Sequence, residues 1–160
     1  MNPNSVVPTI IDDGFVLWES NACVRYLCAK HSMGDLCPED PQRRAICDKW
    51  MDWQQTTVAP PITPVFWGLI RTEPADRDQA LIDKSRDALE VVLQRMDDHL
   101  ANNEFMGGDR FTMADIPLGI MVYRWFTLDI KRKELKNISR WYEAMSAREP
   151  FKKTIMIGLT

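Results

Sequence analysis

Val6-Val7-Pro8-Thr9-Ile10-Ile11-Asp12-Asp13-Gly14-Phe15-Val16-Leu17-Trp18-Glu19-Ser20 is the stretch whose reading decides the fold. Val6 to Ile11 and Phe15 to Trp18 are short runs rich in β-branched and aromatic side chains, the composition of strands. Asp12-Asp13-Gly14 between them is turn chemistry, because Gly14 takes a positive φ without a Cβ clash. The two runs predict a β-hairpin. The apolar run stops at Glu19-Ser20, and Ala22, Cys23, Tyr26 and Leu27 follow at helical spacing, with Cys23, Tyr26 and Leu27 on one face. Ser20 has the chemistry of an N-cap, since its hydroxyl can accept from a backbone N–H of the first turn.

The same residues make a small polar site. Pro8 opens a strand, where a missing N–H is tolerable, and Val7-Pro8 stands at the kind of turn where cis peptide bonds are kept. A helix start offers unpaired N–H groups and partial positive charge to a carboxylate. Glu19 offers negative charge to an ammonium. Together they suit a zwitterion such as an amino-acid head group. A capped helix after a hairpin, with no ligand, accounts for the same residues.

Val7-Pro8, Leu17-Trp18-Glu19-Ser20-Asn21-Ala22 and Tyr26-Leu27 resemble the glutathione-binding half of the cytosolic glutathione S-transferase family. A second signature of that family lies downstream at Phe111-Thr112-Met113-Ala114-Asp115-Ile116. The resemblance covers essentially the whole chain and looks nearest to bacterial transferases with the Leu-Trp-Glu-Ser variant. It implies an α/β piece followed by an all-α one. Residues 1–33 would be the C-terminal half of a thioredoxin-like domain, 34–41 a linker with Gly34, Pro38 and Pro41, and 42–160 a helical bundle. It implies glutathione as co-substrate, no metal, and a small hydrophobic electrophile as second substrate. A homodimer in the cytoplasm is the family's usual form. Val7, Pro8 (after a cis bond), Glu19 and Ser20 are the implied glutathione contacts. Asp52 joins them by analogy with classes in which an acidic residue there reaches the other subunit's glutathione. The family's thiol-activating Tyr, Ser or Cys precedes the Val-Pro and has no counterpart in these residues. Met1 therefore reads as the equivalent of an internal methionine, the catalytic residue is unknown, and the Val6–Ile11 edge is bare and prone to pairing.

Composition agrees with a globular chain: 160 residues and 45% apolar, enough for a core. A net charge of −3 with no basic block excludes nucleic acid as the expected partner. No apolar run approaches a membrane span, and no signal-peptide pattern opens the chain. The four cysteines, Cys23, Cys28, Cys37 and Cys47, form no CxxC and read as reduced cytosolic thiols. His31 and His99 sit in no metal-binding pattern.

From about Gln42 the pattern is helical, with Ile46, Trp50 and Trp53 recurring, until Pro60-Pro61 and Pro64 should interrupt or kink it. A second helix fits Arg77 to Leu100, with a stripe of Leu81, Ser85, Leu89, Val92, Met96 and Leu100 and an exposed Arg86–Glu90 pair. Thr112 and Asp115 have capping-box spacing, with Phe111 and Ile116 as a hydrophobic staple, and open a helix apolar on most sides. Pro117 falls past the first helical position. A last helix runs from about Leu135 to Arg148 and ends at Glu149-Pro150, before a short tail. Trp50, Trp53, Trp125 and Trp141 read as core. Trp67 beside Gly68, with Arg71 and Arg124, is a candidate lining for the second-substrate cleft. Two further function classes remain open on the sequence: a non-catalytic transferase-like interaction module, and a glutathione-dependent disulfide or peroxide reductase.

Overall fold

The computed structural model describes residues 2–159. Met1 and Thr160, placed by the sequence reading in the lead-in and the tail, lie outside the described residues. β1 (Thr9–Asp12) and β2 (Phe15–Trp18) pair antiparallel, Thr9 opposite Trp18 and Asp12 opposite Phe15. Asp13 and Gly14 form the turn at φ 49° and 87°, the left-handed pair that matches the twist of a two-residue hairpin. Val6, Val7 and Pro8 precede the ladder rather than belonging to it.

Helix α1 (Ser20–His31) leaves the hairpin directly. Here two expectations need correction. Glu19, not Ser20, holds the N-cap position, and no side chain caps the helix. The buried face is Asn21, Cys23 and Cys28, while Leu27 is exposed. The reason is that α1 is fastened on two sides. The Asn21 amide donates to Met51 O at 2.7 Å and to Gln54 Oε1 at 3.2 Å. Arg25 Nε meets Asp48 at 2.5 Å and its Nη2 pairs with Asp52. Tyr26 turns to the hairpin, its ring 5.4 Å from Phe15 and its hydroxyl donating to Asp12 at 2.6 Å. Lys30 pairs with the same Asp12 carboxylate, so it ties the helix to the turn. Cys23 is a buried small side chain.

Within residues 34–41, Cys37 and Pro38 are buried, and Gly34 N–H donates to Cys37 O at 2.8 Å. Asp40 then caps α2 (Pro41–Trp53) by accepting from Arg43 N–H at 2.8 Å, with Pro41 in the first turn where its missing donor is harmless. The inward face of α2 is Cys47 and Met51, continued by Gln54 and Val58. The expected face of Ile46, Trp50 and Trp53 is displaced by one residue: Ile46 is exposed, and the two indoles are only half-buried. Cys47 is small enough to approach the Thr112 hydroxyl, at 3.5 Å, and the bulky indoles lie along the rim.

The prolines do not end the helical path. A π turn over Gln54–Val58 precedes them, with Ala59 N–H donating five residues back to Gln54 O. The wider turn makes room for rings that would strike the carbonyls of a regular helix. Helix α3 (Ala59–Phe66) carries Pro60 and Pro61 in its first turn and Pro64 inside, and a second π turn (Trp67–Arg71) ends the path.

Helix α4 (Gln79–Leu100) buries Ile82, Ser85, Leu89, Leu93, Met96 and Leu100. Ile82 and Leu93 replace the expected Leu81 and Val92: Leu81 is exposed, and Val92 is half-buried. Arg86 pairs with Asp83 and Asp87, not Glu90, which accepts from Lys133 N–H at 2.8 Å. Helix α5 (Asp115–Thr127) runs through the centre, with Leu118, Val122 and Trp125 buried. Pro117 is its third residue, where the N–H has no intrahelical partner to lose. Helix α6 (Lys136–Ser146) has no local side-chain cap. Asp97 of α4 supplies one, accepting from Asn137 and Ile138 N–H, each at 2.9 Å. Pro150 opens a further helix, α7 (Glu149–Thr154), rather than a tail; it stands in the first turn, where proline is favoured. Of the four Trp read as core, Trp125 and Trp141 are fully buried, and Trp50 and Trp53 border the core.

No helix among the described residues is long and apolar enough to cross a membrane.

Candidate functional site

The hairpin register brings two stretches together. One step beyond the Thr9–Trp18 pair stand Pro8 and Glu19; two steps beyond stand Val7 and Ser20. The Val7-Pro8 peptide is cis, and Val7 is 91% exposed. Glu19 sits at φ 71° and ψ 120°, a conformation that a non-glycine residue rarely adopts. Such backbone strain persists only where the surrounding structure imposes it, and it clusters at ligand sites. Here it turns the chain sharply from strand to helix. The Glu19 and Ser20 side chains at the start of α1 are exposed. The arrangement presents a carboxylate, a hydroxyl, helix-start N–H groups and an extended backbone at one end of the hairpin. That set suits a zwitterionic head and an adjoining peptide strand.

Asp52 lies nearby on α2 but is engaged by Arg25. One turn later, Gln55 Nε2 reaches Glu19 Oε2 at 3.5 Å. The polar end of the hairpin and the start of the π turn thus share contacts.

Thr112 and Asp115 form a buried network away from that surface. The Asp115 carboxylate accepts from Met106 N–H at 2.8 Å, Thr112 N–H at 2.9 Å and Trp141 Nε1–H at 2.8 Å. Thr112 Oγ1 accepts from Ala114 N–H at the longer distance of 3.4 Å. Burial pushes the Asp115 carboxyl above its ordinary range against the pull of these donors. The network fastens the loop before α5 and the body of α6 to one residue.

Arg124 lines a cleft whose lining includes neither Trp67 nor Arg71. Trp67 is exposed. Arg124 lines a cleft of about 170 Å³ with Phe66, Ile120, Tyr123 and the segment around Ile157. Arg71 is close enough to act on it electrostatically. The sequence reading missed Tyr123, Ile120 and the chain end as lining. Ile120, Tyr123 and Arg124 stand at three- and four-residue steps on α5, and that spacing was the available signal. A second cleft, of about 250 Å³, lies among Leu36, Phe111, Ile116, Met145 and Phe151.

The four thiols are buried. Burial, with Cys37 nearby, pushes Cys28 up to about 11, so it is no nucleophile at neutral pH. Among the described residues no group of three or more His, Cys, Asp or Glu side chains is placed to hold a metal ion.

Residues 46–149 match the model of the glutathione S-transferase C-terminal domain, and residues 1–29 match that of its N-terminal domain. The chain is 38% identical to glutathione S-transferase GstB of Escherichia coli, over all of this chain and 78% of that protein. It is 32% identical to glutathione S-transferase D7 of Drosophila melanogaster, over 88% of this chain and 62% of that one. The theta class glutathione S-transferase of Xanthomonas axonopodis pv. citri, solved with glutathione bound, superposes with a TM-score of 0.96. The two are 43% identical, over 99% of this chain and 76% of that one.

Proposed function

The chain belongs to the glutathione S-transferase family, and from that premise we propose that it serves conjugation of the glutathione thiol to a small electrophile. Sulfur forms a bond to carbon, the bond to the leaving group breaks, and the thiol proton leaves to solvent. Val7 takes the cysteinyl part of the tripeptide by backbone pairing, as an added strand would. Pro8 sets the turn, and Glu19 and Ser20 hold the γ-glutamyl head. Asp52 contributes from α2 through its ties to Arg25. These residues grip the peptide frame and not the sulfur. A free thiol ionises near ~8.5, so the group that holds the thiolate is a separate element of the enzyme, and none of the residues assigned to this site is that group. Trp67, Arg71 and Arg124 serve the electrophile in this reading, Arg124 from the cleft that it lines with Phe66. Residues 34–41 join the glutathione-binding part to the bundle, and the working form is a cytoplasmic homodimer.

The observation that supports this reading is the strained Glu19 backbone beside the exposed Val7 and the open start of α1. Ser20 is the first helical residue and caps nothing, so its loss reports on ligand rather than on fold. Ser20→Ala should weaken glutathione binding by about 1–2 kcal/mol while leaving the melting temperature in place. Glutathione affinity unchanged in a Glu19→Ala, Ser20→Ala double variant, with native circular dichroism, rejects the site.

A further inference from the structure

The cleft around Arg124 holds a cation that the packing does not neutralise. Arg124 is half-buried on α5, and its guanidinium carbon lies 4.2 Å from the centroid of the Phe66 ring. Ile120, Tyr123, Ile155 and Ile157 are among the other residues of the wall, and among the described residues no acidic side chain lines it. Tyr123 hydroxyl accepts from Gly158 N–H at 3.1 Å, which ties the segment around Gly158 to α5 beside the cleft. Among the described residues, Arg124 makes no ion pair. Burial, and then the nearby Arg71 cation, pulls its proton affinity down. Taking a guanidinium out of water is costly unless an anion meets it, and an aromatic face offsets only part of that cost.

We propose that this cleft accepts an electrophile bearing an anionic group, an aryl or short alkyl carboxylate or sulfonate, and that Arg124 selects for it. The inference rests on the transferase reading above and names its second-substrate class. A guanidinium fork meets a carboxylate through two parallel N–H···O bonds. Phe66 keeps the guanidinium plane in place, and Ile120 and Ile155 cover the apolar body. The cleft, of about 170 Å³, has room for one substituted ring. The anionic group is a handle and takes no part in bond making. Sulfur attacks the carbon bearing the leaving group, the C–S bond forms, and the leaving group departs with its electron pair.

The test uses calorimetric titration of 4-chloro-3-nitrobenzoate and its neutral isostere 4-chloro-3-nitrobenzamide, without glutathione. The wild type should bind the acid about tenfold more tightly than the amide, the scale of one charge-assisted contact. Arg124→Met should bring the acid down to the amide's affinity and leave the amide unchanged. Arg124→Lys, which keeps the charge but not the fork, should retain part of the preference. Equal affinity for acid and amide, no measurable binding of the acid, or a preference that survives Arg124→Met overturns the proposal. Melting curves by circular dichroism establish that both variants are folded. Glutathione titrated alone into the wild type reads the transferase assignment separately: its failure to bind rejects that assignment, whatever the acid and amide show.

Discussion

Replacing Asp115 with Ala removes one carboxylate from the centre of three short hydrogen bonds. Met106 N–H, Thr112 N–H and Trp141 Nε1–H lie 2.8, 2.9 and 2.8 Å from it. The residue is fully buried, so water does not readily replace the lost acceptor. Each orphaned buried donor costs about 1–3 kcal/mol, or ~3–9 kcal/mol for three. Removing the desolvated carboxylate returns several kcal/mol. Burial pushes its pKa up, the direction that such a desolvation cost gives. The expected net loss is about 3–5 kcal/mol, a large share of the ~5–15 kcal/mol that holds a domain together. Thr112→Ala removes only contacts of 3.4 and 3.5 Å and should cost about 1 kcal/mol or less. Asp115→Asn keeps an acceptor but brings an amide N–H₂ into a nest of donors, and should fall between the two. Urea unfolding followed by tryptophan fluorescence measures all three. Equal midpoints for Asp115→Ala and Thr112→Ala would refute the reasoning, because the donors around Asp115 would then be satisfied by something else.

Two further outcomes follow from the packing. Asp97→Ala removes the side-chain cap that α4 supplies to α6, together with the Asn137 Nδ2 contact at 2.9 Å. It should cost about 2–3 kcal/mol, and an unchanged urea midpoint counts against it. His99 is partly buried against Trp50, with their ring centroids 4.5 Å apart, and its Nε2 lies 3.1 Å from Met106 O. Burial pulls its pKa below 6.5, the backbone contact opposes that shift, and Lys49 adds to it. Between the lowered value and 6.5 the unfolded chain binds more protons than the folded one. The His99 contribution is therefore complete above pH 6.5 and lost as pH falls through the lowered value. Melting temperatures of His99→Gln should fall less steeply below pH 6.5 than those of the wild type; parallel curves would reject the assignment.

The candidate site was legible in sequence because its chemistry is local. Val7-Pro8 and Glu19-Ser20 are joined by a hairpin whose turn residues, Asp13 and Gly14, dictate the register. The register in turn dictates that the two stretches leave the ladder together. What the pattern could not show was which residue occupies the cap. Glu19 takes the strained conformation because the strand must turn into a helix already anchored by Asn21 and Arg25, and those anchors reach residues some 23 to 33 positions away. The Arg124 cleft was only partly visible for the same reason. Its other walls come from α3 and from the chain end, which periodicity along α5 cannot locate.

Sequence by itself determined most of the elements: the hairpin, the main helices and the Thr112–Asp115 lead into α5. Turn propensity, capping chemistry and apolar spacing act over a few residues and need no partner. Tertiary structure decided which face of each helix turned inward, and the choice moved by one residue on α2 and at Leu81 and Val92 on α4. Neighbouring helical positions differ by only about 100°, and large apolar side chains occupy both candidate faces. The winner is set by what fits: Cys47 against Thr112, Ile82 over Gly68. Tertiary structure also carried the helical path through Pro60 and Pro61 by widening a turn, and placed the Asp97 carboxylate at the start of α6, 40 residues along the chain. Those are contacts between surfaces, and they exist only once the surfaces have met.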